Sequence, residues 1–346
     1  MTPRLFVPGR LCLFGEHSDW AGAYRASHPA LSSGHCIVAG TDQGLQATAG
    51  ASDVIELASV LPDGSRVASV PLAADEGALD AVARAGGFFS YAAGVAAEIV
   101  ARFGPIGVRL DVVGDDLPLG KGLSSSAAIC VLVARAFDRV HGLGLSTRDE
   151  MELAYAGERR TGSQCGLMDQ VCAYGRATTA LAFDGGRFDV ARIPVGAPIH
   201  VLIVDLCRAK DTKRILADLN ACFPDAPGAV AAGVREALGP RNAALVADAQ
   251  GALARGDAAA VGALMSEAQA VFDRLVAPAC PELRAPRLHE LLAHPAACEL
   301  AWGGKGVGSQ GDGCAQLVAR GPAERDALAA ALTDAFDVVC LPLTVG

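Results

Sequence analysis

From Asp116 to Ala128 the chain reads Asp-Leu-Pro-Leu-Gly-Lys-Gly-Leu-Ser-Ser-Ser-Ala-Ala, and no helix breaker follows until Gly142. Pro118, Gly120 and Gly122 deliver the backbone into a run of Ala, Ile, Cys, Val and Leu, which predicts a loop feeding a buried helix over 124–140. First-turn N–H groups of such a helix have no intrahelical partner, and the macrodipole places partial positive charge there, so an anion is favoured. The glycines let backbone approach that anion closely, while the hydroxyls of Ser124, Ser125 and Ser126 can donate to phosphate oxygens or ligate magnesium. The stretch reads as a phosphate-binding loop; the simpler alternative is an ordinary serine-capped core helix, for which one hydroxyl suffices. It is not a Walker loop. Five residues separate Gly114 from Gly120 where that pattern has four, and Gly122 follows Lys121 where it has Ser or Thr.

The ligand's charge must be met locally. A net charge of −9 without any block of Lys or Arg argues against nucleic acid or an anionic membrane as principal partner. At 346 residues, 51% hydrophobic and 19% charged, the chain is long enough for two globular lobes. No window reaches the length of a membrane span, and the N-terminus lacks the long apolar segment of a signal peptide, so a cytoplasmic protein is expected, monomeric or homodimeric. The eleven cysteines sit inside apolar segments without paired spacing. Buried free thiols fit that pattern better than disulfides or zinc.

Taken in order, residues 4–14 predict a strand interrupted at Pro8-Gly9, followed by the acidic, histidine-bearing loop Gly15 to Gly22. Strands are expected over 37–49 and 54–70, the latter a hairpin turning at Asp63-Gly64, then a helix over 88–103 and a strand over 107–113. Ser146 opens a helix through Tyr155, with Asp149, Glu150 and Glu152 in its first turns. Glu158 to Gln170 predicts a second polar loop, and strands follow around 179–184, 187–193 and 200–205. From about 195 the texture changes to alanine-rich helices at 212–221, 228–237, 241–253 and 257–276. A strand at 299–302, a glycine-rich turn from Gly303 to Gly313, a strand at 314–319, a helix from Pro322 and a last strand at 338–341 complete the chain. Within the turn, Gly306-Val307-Gly308-Ser309-Gln310-Gly311 spells the dinucleotide fingerprint. Its context rejects that reading, because a strand rather than a helix is predicted after it.

These segments together resemble the small-molecule kinase superfamily of galactokinase, homoserine kinase, mevalonate kinase and phosphomevalonate kinase (GHMP), closest to the galactokinase-like sugar-kinase branch. Pro8 to Gly22 is similar to the galactokinase signature with its Gly-Glu-His-Thr-Asp-Tyr run, Pro118 to Ala128 to the second family motif, and the turn after Trp302 to the third. Cys165-Gly166-Leu167-Met168-Asp169-Gln170 is similar to the galactokinase Cys-Gly-Ile-Met-Asp-Gln segment. The resemblance implies an α/β (α+β) fold of two lobes, a ribosomal-S5-like lobe over 1–195 and a ferredoxin-like lobe over 196–346. It implies ATP with Mg2+ as cofactors and phosphorylation of a hydroxyl, possibly anomeric, of a monosaccharide or sugar acid. Asp169 takes the role of catalytic base and Arg10 that of the cation pairing with it and with the transferring phosphoryl group. Pro118, Gly120, Lys121, Gly122, Leu123, Ser124, Ser125, Ser126 and Ala127 match the nucleotide loop. Ser126 and Glu158 match magnesium contacts, the serine open by one position, and Glu16, His17, Asp19 and Gly308 fall on the acceptor side.

Alternatives stand beside these. Glu158 can be read as a surface carboxylate paired with Arg159 or Arg160, and His17 as a structural hydrogen-bonder shaping the Arg10 loop. Lys305, Gln310 and Asp312 add polar groups to a turn that is usually plain glycine. The cations Lys210, Lys213, Lys305 and Arg25 suggest an acidic or phosphorylated sugar, unless the lysines are simply solvated. A non-catalytic sugar- and ATP-sensing regulator on the same fold, and a mevalonate-type isoprenoid kinase, are the competing functions.

Overall fold

The computed structural model describes residues 3–61, 63–117 and 122–346. In chain order it begins with β1 (Arg4–Phe14), α1 (Ser18–Ala23), β2 (Gly34–Ser52), β3 (Ile55–Val60) and β4 (Arg66–Ala68). Next come α2 (Glu76–Ala85), α3 (Ser90–Phe103), β5 (Gly107–Asp115), α4 (Ser125–His141), α5 (Thr147–Arg160) and a 3-10 helix over Leu167–Tyr174. Strands β6 (Thr178–Asp184), β7 (Arg187–Arg192) and β8 (Ile199–Asp205) lead to α6 (Thr212–Asn220), α7 (Ala229–Glu236), α8 (Asn242–Arg255) and α9 (Ala258–Leu275). The chain closes with α10 (Pro286–Leu292), α11 (Pro295–Leu300), β9 (Ala301–Gly306), β10 (Cys314–Ala319), α12 (Pro322–Ala335) and β11 (Val339–Val345). None of the described helices is long and apolar enough to cross a membrane.

Contacts group Met1–Arg10 with Gly40–Arg176, and Leu11–Ala39 with Ala177–Gly346. This differs from a single cut at 195/196, because β1 and β2 each begin in one unit and end in the other. In the first unit β5 lies between the second half of β2, to which it is antiparallel, and β3, to which it is parallel. Helix α4 is buried from Ala127 to Phe137 at all but two positions, Ile129 and Arg135, since apart from that arginine its side chains there are apolar. Helix α5 starts at a capping box, in which the Ser146 hydroxyl accepts from Asp149 N–H and the Asp149 carboxylate accepts from Ser146 N–H. It runs one turn beyond the expected end at Tyr155. Gly157 permits this path, because a Cβ there would lie 2.5 Å from the Val95 backbone of α3.

In the second unit the first half of β2 pairs with β6, and β6 with β7. A separate antiparallel sheet has the order β11-β8-β10-β9. Leu202, Val204, Leu317, Leu328 and Leu332 fill one side of it, while Ile215, Leu219, Val234, Phe272 and Leu283 make a second cluster under the helices. Three expectations change. Strand β1 continues through Pro8-Gly9, the extended backbone of proline being compatible with a strand where no ladder N–H is needed. Glu158 to Arg160 form the last turn of α5 rather than a loop. Gly303 to Gly306 belong to β9, so Lys305 stands on a strand and the glycine-rich turn begins only at Val307.

Candidate active site

The first unit gathers one set of the expected residues. Gly9 brings β1 up beneath the serine loop, where Arg10 N–H donates to the Leu123 carbonyl at 3.1 Å. A Cβ at Gly9 would sit 2.8 Å from that carbonyl oxygen and 2.5 Å from the Leu117 side chain. Gly9→Ala is therefore expected to cost about 1–3 kcal/mol by overpacking, read as a lowered denaturation midpoint. Ser124 is the N-cap of α4 in the left-handed region (φ 57°), and its hydroxyl makes no capping bond. The helix thus starts at Ser125 with its first-turn N–H groups uncapped by that side chain. Gly122, Ser124, Ser125 and Ser126 are half-buried, Leu123 and Ala127 buried; Pro118, Leu119, Gly120 and Lys121 lie outside the described residues.

Arg10 is 5% exposed and its guanidinium is fully directed. Nε donates to Asp169 Oδ1 at 3.2 Å, Nη2 donates to the same oxygen, and Nη1 donates to the Gly122 carbonyl at 2.6 Å. Asp169 sits on the first turn of the 3-10 helix, half-buried. The last turn of α5 adds Glu158, only 2% exposed. Its Oε2 accepts from Gln170 Nε2 at 2.7 Å, Oε1 from the Ser163 hydroxyl at 3.5 Å, and Ser126 also hydrogen-bonds to it. Burial first, and the Asp169 charge second, push the Glu158 carboxyl up to about 7 despite those donors. The surface-pair alternative falls, because Arg160 pairs with Glu76, Asp80 and Glu98, and Arg159 lies over the Tyr155 ring. Neighbouring Cys165 and Cys172 are pushed up to about 12, chiefly by burial, and remain thiols.

A buried carboxylate, a second carboxylate beside it and a serine hydroxyl form a hard-oxygen set that a divalent cation would complete. No group of three or more His, Cys, Asp or Glu suited to a metal occurs among the described residues. Magnesium takes one or two protein oxygens and fills its remaining positions with phosphate and water. Glu158 and Ser126 suit the task.

In the second unit the acceptor-side residues separate by role. Glu16 Oε1 accepts from Lys305 Nζ, both side chains almost wholly buried, and Lys305 also donates to the Gly306 carbonyl at 3.0 Å. Asp19 Oδ1 accepts from Trp20 N–H at 2.9 Å in the first turn of α1. His17 is 5% exposed, in the left-handed region (φ 68°), and stacks on Phe272. Burial, then the Lys210 and Lys305 charges, lower its pKa to about 4; the Ser309 backbone opposes this without closing a hydrogen bond to Nε2. Gly308 opens the turn with φ 66° and is half-buried. Lys210 Nζ donates to the Gln310 carbonyl at 2.9 Å.

Sequence reasoning missed the Lys305 partnership, which joins residues 289 apart, and the two side chains that brace Glu158. It also overcounted cations available to a ligand. Lys305 is matched by Glu16, and Arg25 donates to Asp184 at 2.6 Å. His17 contacts Trp20 and Phe272.

The start of α4, the Arg10–Asp169 pair and the buried Glu158 all belong to the first unit. Residues 90–176 match the family described as GHMP kinases N terminal domain. The galactokinase of Chloroflexus aurantiacus is 34% identical over 119 residues, which span 34% of this chain and 30% of that protein. The chain therefore covers less than a third of the length of that curated relative. Over the whole chain the fold is shared with Lactococcus lactis galactokinase complexed with galactose, at a TM-score of 0.73 and 18% identity covering 100% of this chain and 94% of that one. Methanococcus jannaschii mevalonate kinase shares it at a TM-score of 0.71 and 15% identity, covering 100% and 99%.

Proposed function

We propose that the protein is an ATP-dependent kinase that phosphorylates a hydroxyl of a monosaccharide. The observation that carries this reading is the Arg10–Asp169 pair set beside the buried Glu158. Asp169 accepts the proton of the acceptor hydroxyl as its oxygen attacks phosphorus. Arg10, permanently charged and held by Gly122, orients that carboxylate and stabilises charge on the transferring group. Ser124, Ser125 and the first-turn N–H groups of α4 bind nucleotide phosphates, aided by Ala127 and Leu123 as packing beneath them. Glu158 and Ser126 would hold magnesium, which when bound would offset phosphate charge. Glu16, His17, Asp19 and Gly308 serve the acceptor. The names of the relatives support a sugar, and the matching of Lys305 and Arg25 by carboxylates favours a neutral one over a sugar acid, a sugar phosphate or mevalonate.

An ADP-release screen with Mg-ATP across hexoses, pentoses, uronic acids, heptose phosphates and mevalonate tests this. Release is expected with a neutral sugar; turnover of mevalonate alone, or ligand binding with no ADP release on any acceptor, overturns it.

The charge of Glu158 gives an independent check. Its folded pKa of about 7 lies above the ordinary 4.5, so the folded chain binds that proton more tightly than the unfolded one. In excess chelator this group's stabilising share is complete below pH 4.5 and is lost as pH rises to about 7, a difference of ~3 kcal/mol. Urea denaturation of wild type and Glu158→Gln across that range should diverge accordingly, and magnesium should narrow the gap at pH 8.

A further inference from the structure

Taking the acceptor role of His17 from the reading above, we propose that Trp20 is a positioning residue that holds His17 in the one tautomer able to donate to an acceptor oxygen. An indole N–H can donate but has no lone pair with which to accept. Trp20 Nε1 donates to His17 Nδ1 at 3.1 Å. A neutral imidazole carries a single hydrogen, so once Nδ1 accepts, that hydrogen resides on Nε2. His17 Nε2 is buried and, among the described residues, closes no hydrogen bond, although the Ser309 backbone acts on the ring in favour of its proton. A purely structural histidine would use both nitrogens internally; here one is spent on Trp20 and the other is left as a buried donor.

The surroundings fix the ring as well as the proton. The Trp20 ring meets His17 edge-on at 5.7 Å, and Phe272 stacks against its face at 6.3 Å and 20°. Trp20 is itself braced edge-on by Phe223 at 5.3 Å and by Tyr24 at 6.5 Å. The left-handed backbone at His17 starts α1, which places Trp20 three residues on and on the same side. Lys210 and Lys305 both disfavour a second proton on the imidazole. A neutral ring whose single N–H is on Nε2 complements a hydroxyl oxygen and rejects an ammonium or amide N–H at that point. Trp20 thereby sets part of the acceptor chemistry without touching the acceptor.

Long-range proton-nitrogen correlation spectra of [15N]histidine-labelled protein distinguish the two tautomers, with His17 assigned by its loss in His17→Gln. Wild type without any ligand is expected to show Nε2–H. Trp20→Phe keeps the aromatic packing and removes the donor. It should admit the Nδ1–H form and raise KM for the acceptor found in the ADP-release screen by about tenfold, the loss of one oriented hydrogen bond, with kcat little changed. An Nδ1–H resonance for His17 in wild type overturns the proposal even if the variant fails to fold, as does an unchanged tautomer or an unchanged KM in a folded variant. The spectrum needs no activity, so a protein that phosphorylates nothing yet shows the Trp20-dependent Nε2–H tautomer sinks the kinase reading and leaves the Trp20 assignment standing.

Discussion

Asp169→Asn should lower kcat for nucleotide-dependent phosphorylation by about 10²–10⁴-fold, the range for loss of a general base, while ATP still binds. The substitution keeps the shape of the side chain and leaves the Arg10 bond to the Gly122 carbonyl in place. What disappears is a carboxylate able to take the hydroxyl proton. The Arg10 charge is then deprived of its carboxylate partner, so some loss of stability accompanies the kinetic one. A second effect has the opposite sign. The Asp169 charge is one cause of the raised Glu158 pKa, so the variant should ionise Glu158 at lower pH and bind magnesium nucleotide more tightly than wild type at pH 6. Calorimetric titration with a non-hydrolysable magnesium nucleotide at pH 6 and pH 8 measures that difference. Near-normal turnover by the variant on an established substrate would falsify the assignment of Asp169.

Lys305→Met is expected to destabilise the protein by about 3–5 kcal/mol, the usual cost of removing one partner of a buried ion pair. Both ends of this pair are inside the second unit, with side-chain exposures of 2% and 5%. Methionine fills most of the lysine volume but leaves the Glu16 charge without its chief countercharge. The double variant Glu16→Gln, Lys305→Met should recover much of the loss, because the penalty belongs to the unmatched charge more than to the pair. Urea denaturation of the two single variants and the double variant closes that cycle, and additive losses would rule the coupling out.

Local chemistry was legible in the sequence wherever neighbouring residues carry it. The apolar helix that begins at Ser125 and the capping serine at 146 both show themselves within a few positions. The Asp169 segment was legible through its resemblance, and the structure adds that Arg10 reaches it across 159 residues. Long-range pairing left no such trace. Nothing near Lys305 announces that its partner is Glu16, so a strand lysine read as a spare cation. Helix α2 escaped notice because only Leu79 and Ala83 are buried on it, too few to impose a period on an alanine-rich stretch. The extent of α5 was underestimated because Gly157, ordinarily a helix weakener, is there to admit the α3 backbone.

The interleaving of the two units along the chain bears on how the protein can be made and cut. Leu11, Leu13 and Phe14 are buried, and they belong with residues that leave the ribosome only after Ala177. During synthesis the Glu16 carboxylate emerges long before Lys305, so the segment 11–39 must wait, solvated or held by a chaperone, for most of the elongation time. A fragment ending at 195 would keep that segment and lose the lysine. For expression trials, a stretch must therefore run at least from Arg10 to Lys305 to contain both the Arg10–Asp169 and the Glu16–Lys305 pairs.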